Sequence, residues 1–250
     1  ALLGELQPQL LIHAAAISSL QECEQQREQC WRVNSNCLAE VGTATNTRIL
    51  LISTDQVFSG DADCYYEDSK PAPLHSYGES KLAAETMVLA PEFPLEMPGL
   101  VARIPLLLGP RAFSGKVGAD TSIREQLEQG QSPSLFVDEI RSPLSARAAA
   151  TGIWLLAARA LASPELAGVF HFADSRALSR LALGEEVCAF DDSSLASSSA
   201  ARLHPVRLAE YKGLPRPPCL VLSCARALNE LGWEAPNLQQ CLAHTLDSAR

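Results

Sequence analysis

The chain has 250 residues, 47% hydrophobic and 20% charged, enough apolar material for one large domain or for a core with a lobe. A net charge of −9 argues against a polyanion-binding surface, so nucleic acid is not an expected partner, and no uninterrupted apolar run reaches the length of a membrane span. Eight cysteines without a C-x-x-C pair suggest neither zinc nor a disulfide framework, which makes a reducing, cytoplasmic setting the default and leaves no metal assigned.

Residues 8–16 open with an apolar strand through Leu10, Leu11 and Ile12 and run into Ala14, Ala15 and Ala16. Apolar residues at helical intervals then predict a helix over 19–41. Cys23, Cys30 and Cys37 recur every seventh residue on one face of it, a pattern of small packing positions rather than a thiol or metal cluster. A second apolar strand covers 47–53 and a proline-bearing loop runs through Pro73. A helix of good formers follows, with Ser76 as its expected cap and Glu79 as the capping-box partner. A third apolar strand covers 99–104. Strands that are apolar throughout and alternate with helices predict an α/β fold, a doubly wound parallel sheet covered on both faces. Ligands of such sheets sit at the strands' carboxyl ends, where residues 14–16, Ser53 with Thr54, and Ile104 fall.

Beyond Gly109 and Pro110 the pattern loosens. Residues 145–161 predict a strongly apolar helix, with its centre at 152–158 read as buried, 168–172 a strand, and 178–190 a further helix. Residues 191–201 are rich in Ser and Ala and read as a mobile insertion; 223–233 precedes a helical tail. The division that follows is a sheet-bearing part over 1–108 and a lobe over 109–250, with 145–172 returning to the sheet. His13 and His171 fall inside strands and read as satisfied core histidines.

The chemistry concentrates at Tyr77-Gly78-Glu79-Ser80-Lys81, shortly after the strand that ends in Ser53-Thr54-Asp55. Four residues apart on a helix, a tyrosine and a lysine share a face, so an ammonium there favours the phenolate and adapts the phenol for proton transfer. The spacing alone is weak, because Tyr66 and Lys70 repeat it. That second copy sits among acidic residues and prolines and reads as loop.

Over about residues 11–233 the sequence resembles extended short-chain dehydrogenases, and most nearly the dTDP-4-dehydrorhamnose reductase-like sugar-nucleotide reductases. The resemblance is carried by His13 to Ala16, Asn34, Ser53 to Gly60, Tyr66-Glu67-Asp68, residues 73–81, 103–109, 136–143 and 168–171, and Arg216-Pro217. It implies an N-terminally truncated, Rossmann-like NAD(P)-binding part over 1–108 and a smaller substrate-binding lobe over 109–250. The implied reaction is hydride transfer from NADPH or NADH to a 4-keto sugar on a nucleoside diphosphate. Tyr77 would protonate the developing alkoxide, Thr54 would hydrogen-bond the carbonyl, and Lys81 would hold the nicotinamide ribose and lower the Tyr77 pKa. Cofactor contacts are further implied for Ala14, Ala15, Ala16, Asn34, Ser53 and Ile104. Asn34 alone reads equally as a polar helix-surface residue. Arg141 is implied at a substrate phosphate or at a lobe carboxylate.

The resemblance also has gaps. Gln56 and Ser59 stand where relatives carry other residues, and Arg147 with three alanines replaces an acidic stretch. The Gly-rich G-x-x-G-x-x-G loop for a dinucleotide pyrophosphate is absent from the 250 residues; Gly115-Lys116-Val117-Gly118 is a lone G-x-x-G read as loop. The start at Ala1 is read as a piece of an ordinary reductase, in preference to a natural short form. An exposed sheet edge is expected, with poor solubility or need of a partner. Two other functions share the scaffold: a non-catalytic regulatory subunit like the methionine adenosyltransferase beta subunit, and a nucleotide-sugar epimerase. A homo-oligomer or a regulatory partner protein is compatible with either.

Overall fold

The computed structural model describes residues 2–44, 47–90, 97–112, 115–191, 200 and 202–247. A short helix α1 (Leu2–Leu6) leads into β1 (Leu10–His13). The helix expected over 19–41 forms in pieces: α2 (Leu20–Gln25), α3 (Arg27–Trp31), a π-helical turn (Arg32–Asn36) and α4 (Cys37–Ala44). Gln26 causes the first break, because its φ of −125° and ψ of 52° leave helical space. Next come β2 (Arg48–Thr54), α5 (Ser76–Leu89) and β3 (Leu100–Ile104). With β8 (Gly168–His171) they form a four-stranded sheet in the order β1-β2-β3-β8, parallel at every pairing.

The α/β class read from the sequence is therefore what the chain adopts. Successive residues of a strand point to opposite faces, and β2 divides its side chains accordingly. Ile49 and Leu51 pack with Leu38, Ala84, Val88 and Val101 under α4 and α5, whereas Leu50 joins Leu100, Ala102, Leu156 and Phe170 in the larger core on the other face. Arg48 starts the strand buried, its guanidinium bonded to the carbonyls of Pro98, Ala160 and Leu166. β1 and β8 form the two sheet edges, and all four residues of β1 are partly exposed.

The helix covering the second face is α7 (Ala146–Ala162). It is amphipathic rather than buried all round, since Trp154 is 67% exposed and Leu161 52%. The cap of α5 also differs from expectation. His75 takes the position, its Nδ1 accepting from the Gly78 N–H at 3.2 Å, and Ser76 is the first helical residue. Ser76 and Glu79 face α2 and α3 instead: the Ser76 N–H donates to Glu24 at 2.6 Å, and Arg27 reaches both Ser76 Oγ and Glu79. Docking across the helix interface has displaced the local cap.

The second half consists of short pieces. β4 (Leu107–Leu108) pairs with β7 (Leu144–Ser145), and β5 (Ser134–Phe136) with β10 (His204–Val206). β6 (Ile140–Arg141) lies between β9 (Leu178–Ser179) and β11 (Cys219–Leu220). Helices α6 (Ala119–Glu128), α8 (Arg180–Phe190) and α9 (Leu238–Asp247) pack around them. Most of the Ser-rich stretch, residues 192–199 and 201, lies outside the described residues.

Candidate active site

β2 ends at Thr54, at the carboxyl edge of the sheet, and the Thr54 hydroxyl accepts from the Gln56 N–H at 3.2 Å to start a tight turn. The first turn of α5 lies directly against it. A Cβ on Gly78 would sit 2.2 Å from the Gln56 carbonyl oxygen and 2.8 Å from Pro73 Cβ, so only glycine permits this approach. Tyr77 and Lys81 are carried into the same cleft as Thr54, a space of about 700 Å³ also lined by Ala14, Ala16, Ser53 and Ile104. Tyr66 is 54% exposed in its loop and is not among the lining residues.

Lys81 is 2% exposed, and its ammonium donates to no described residue. Burial pulls it down to about 8, against the opposing charge of Glu85 one turn along. Tyr77 is pushed the other way. Burial raises its phenol well above 10, the negative charge of Asp55 adds to this, and the Thr54 hydroxyl opposes it. The direction is opposite to the lowering expected of Lys81, because the cost of desolvating a phenolate is the largest influence on this phenol. Tyr77 holds its proton at neutral pH.

The remaining sheet-side residues divide by what they touch. Ala15 is exposed and does not line the cleft. Asn34 does not line it either, and it is no surface residue: at 0% exposed, it accepts from the Ile17 N–H at 2.8 Å and donates to the Ile17 carbonyl at 3.0 Å and to Ser80 Oγ at 3.0 Å. It ties the segment after β1 to the helix bearing Lys81, from the π-helical turn that turns it inward. Ser53 lines the cleft, but its hydroxyl donates inward to Glu85. Glu85 in turn pairs with Arg103 at 2.7 Å, both side chains under 5% exposed, and Arg103 meets His171 Nε2 at 3.3 Å. This buried chain fixes the ends of β2, β3 and β8 relative to α5.

The opposite wall comes from the lobe. Arg141 lines the cleft, and its guanidinium is paired with Glu139 at 2.7 Å and bonded to the Pro217 carbonyl at 2.9 Å. Arg216 reaches the same carboxylate at 2.9 Å. Arg180, at the start of α8, has a buried Nη1 with no hydrogen-bond partner among the described residues. Burial pulls its guanidinium down to about 10, with Glu139 opposing. Asp55 Oδ2 is likewise buried and unpartnered, and burial raises the Asp55 carboxyl to about 6 against the charge of Arg141. Sequence reading missed Asp55, Glu139, Arg180 and Arg216 as cleft residues. The last three come from separate segments, and no spacing in the chain announces their meeting. Lys116, in the loop read from the lone G-x-x-G, also reaches the cleft and donates to Ser18 at 2.8 Å.

No helix among the described residues is long and apolar enough to cross a membrane, and these residues hold no cluster of three His, Cys, Asp or Glu side chains suited to a metal. The RmlD substrate binding domain model matches residues 1–250. A probable low-salt glycan biosynthesis reductase, Agl14, of Haloferax volcanii is 30% identical over 97% of this chain, which spans 78% of that protein. The methionine adenosyltransferase 2 subunit beta of Pongo abelii is 28% identical over 92% of this chain, which spans 67% of its length. Among solved structures, a dTDP-4-dehydrorhamnose reductase of Bacillus anthracis in complex with NADP superposes with a TM-score of 0.78 at 21% identity, covering 99% of this chain and 82% of that one. Other neighbours of this fold are solved with NAD. The site geometry and the match over the full 250 residues agree, and the chain belongs to the RmlD substrate-binding domain family of sugar-nucleotide reductases.

Proposed function

We propose that this chain serves a reductase that transfers hydride from NADPH or NADH to a 4-keto sugar carried on a nucleoside diphosphate. The observation that carries the reading is the convergence of Thr54, Tyr77 and Lys81 on one wall of a cleft whose other wall bears Arg141, Arg180 and Arg216. A nicotinamide cofactor fits part of this cleft. The Lys81 ammonium, at the end of a side chain that lines the cleft, suits ribose hydroxyls, and Ala14 and Ala16 line the same space with small side chains. The fit concerns the nicotinamide end, since the 250 residues hold no Gly-rich pyrophosphate loop. The cofactor, when bound, supplies the hydride.

The chain's own residues manage the proton and the charge. As the sugar carbonyl gains electrons its oxygen becomes basic, and the Tyr77 phenol gives that oxygen a proton while the Thr54 hydroxyl donates a hydrogen bond to it. The phenolate left on Tyr77 is offset by the nearby Lys81 ammonium. Arg180, with an unpartnered Nη1, supplies positive charge for the substrate diphosphate from the lobe side, supported by Arg141 and Arg216. The test is NADPH oxidation by the purified protein with a nucleoside-diphosphate 4-keto sugar. Turnover is expected, and undiminished turnover in Tyr77→Phe would sink the assignment of the proton donor.

A second reading, a regulatory subunit, is favoured by the likeness to methionine adenosyltransferase 2 subunit beta. Thr54 in the Ser-Thr-Asp turn leans toward the reductase. Absence of turnover together with stable association with a methionine adenosyltransferase catalytic chain would reverse that order.

A further inference from the structure

Cys23 and Cys30 stand seven residues apart, a separation of about 10.5 Å along the axis of an unbroken α-helix. Their sulfurs are 2.7 Å apart. The break at Gln26 between α2 and α3 is what closes the gap, and the distance that remains exceeds a covalent S–S bond by only about 0.7 Å. Both are free thiols with 0% exposure. Expected from periodicity as packing residues, they are packed against each other.

We propose that Cys23 and Cys30 form a disulfide when the protein meets a low-molecular-weight disulfide oxidant of the oxidised-glutathione type. One cysteine thiolate attacks the oxidant, forming a mixed disulfide and releasing one small thiol. The second cysteine then displaces the remaining small thiol, so the pair loses two electrons and two protons and the oxidant is reduced to two thiols. Access runs through the break, where Gln25 to Gln29 are all exposed between the two buried cysteines. Burial pushes the Cys23 thiol up, which makes the reaction slow until the turn opens.

The bond reaches the cleft wall. The Cys23 S–H donates to the Ile17 carbonyl at 3.2 Å, and Cys30 Sγ accepts from Asn34 at 3.3 Å and lies 3.5 Å from Ser80 Oγ. Oxidation removes both S–H donors, so the Ile17 carbonyl keeps only its bond from Asn34, and the segment from Ala14 to Ile17 is held less firmly. This coupling is independent of which reaction the cleft supports.

Trypsin supplies a direct readout, because cleavage after Arg27 separates the two cysteines. Native protein is incubated with oxidised glutathione, alkylated, and digested without reduction. A peptide ending at Arg27 joined to peptide 28–32 is expected, lost on reduction and absent from Cys30→Ala and Cys30→Ser. Several-fold faster amide hydrogen exchange at Ile17, whose N–H is held by Asn34, is expected in the oxidised protein. Full alkylation of Cys23 and Cys30, or their joining to other cysteines, would overturn the site. Joined peptides with unchanged exchange would overturn the coupling.

Discussion

On the sheet wall of the cleft, Lys81 is buried without a hydrogen-bond partner among the described residues and Tyr77 keeps its proton. On the lobe wall, Arg141 and Arg216 are already bound to Glu139 at 2.7 and 2.9 Å. The difference teaches how the two walls carry charge. Lys81 stands unpaired on its helix, while the Thr54 hydroxyl beside it is bonded to Asp55 Oδ1 and to the Gln56 N–H, both at 3.2 Å. Arg141 and Arg216 are neutralised in part by a shared carboxylate, which makes three converging arginines tolerable. Arg180 is the exception within the lobe wall, and its free Nη1 is the place where that wall resembles the other one.

The comparison breaks most visibly if the sheet wall is altered. Tyr77→Phe is expected to lower kcat by about 10²–10⁴-fold with little change in KM, read from steady-state NADPH oxidation. Support of that wall is tested by Glu85→Gln, which strands the buried Arg103 guanidinium. Loss of about 3–5 kcal/mol in urea unfolding is expected, because one charge of a buried pair loses its partner. On the lobe wall Arg180→Met is expected to raise KM on the order of ~10-fold and leave kcat nearly unchanged, the signature of uniform binding. A fall in kcat as large as that of Tyr77→Phe would erase the distinction between the walls.

A smaller effect of opposite sign is expected at Asp55. Its carboxyl sits at about 6 in the fold against an ordinary value of 3.8, so the native state holds this proton more tightly than the unfolded chain. The fold therefore loses stability as pH rises from about 4 to about 6, by up to about 3 kcal/mol at neutrality. Asp55→Asn is expected to recover part of that at pH 7 and to make no difference below about pH 4, measured as urea midpoints at the two pH values. Equal gains at both would show that the carboxylate's charge is not the cause.

Much of the sheet was legible in the residues themselves. The run Ile49 to Ile52 is apolar on both faces because both faces are covered, and that needs no tertiary knowledge to recognise. The pairing of Tyr77 with Lys81 was legible too, since helical spacing puts them on one face. Local rules failed where another element intervened. His75 took the cap from Ser76 because Arg27 and Glu24 engage that serine across an interface. The helix expected over 19–41 broke at Gln26 and widened at Arg32–Asn36, which buried Asn34 and brought Cys23 onto Cys30. Glu139, Arg180 and Arg216 could not be grouped from the sequence, because long stretches of chain separate them.

By itself the sequence determined the parallel α/β class and the shared helix face of Tyr77 and Lys81, because apolar periodicity and the spacing of residues on one helix are local properties. Only the tertiary structure decided the burial that raises the Tyr77 phenol, the partners of Arg141 and the arginine wall facing the sheet. Those depend on burial and on charges from distant segments, and both come into being only when the chain has folded.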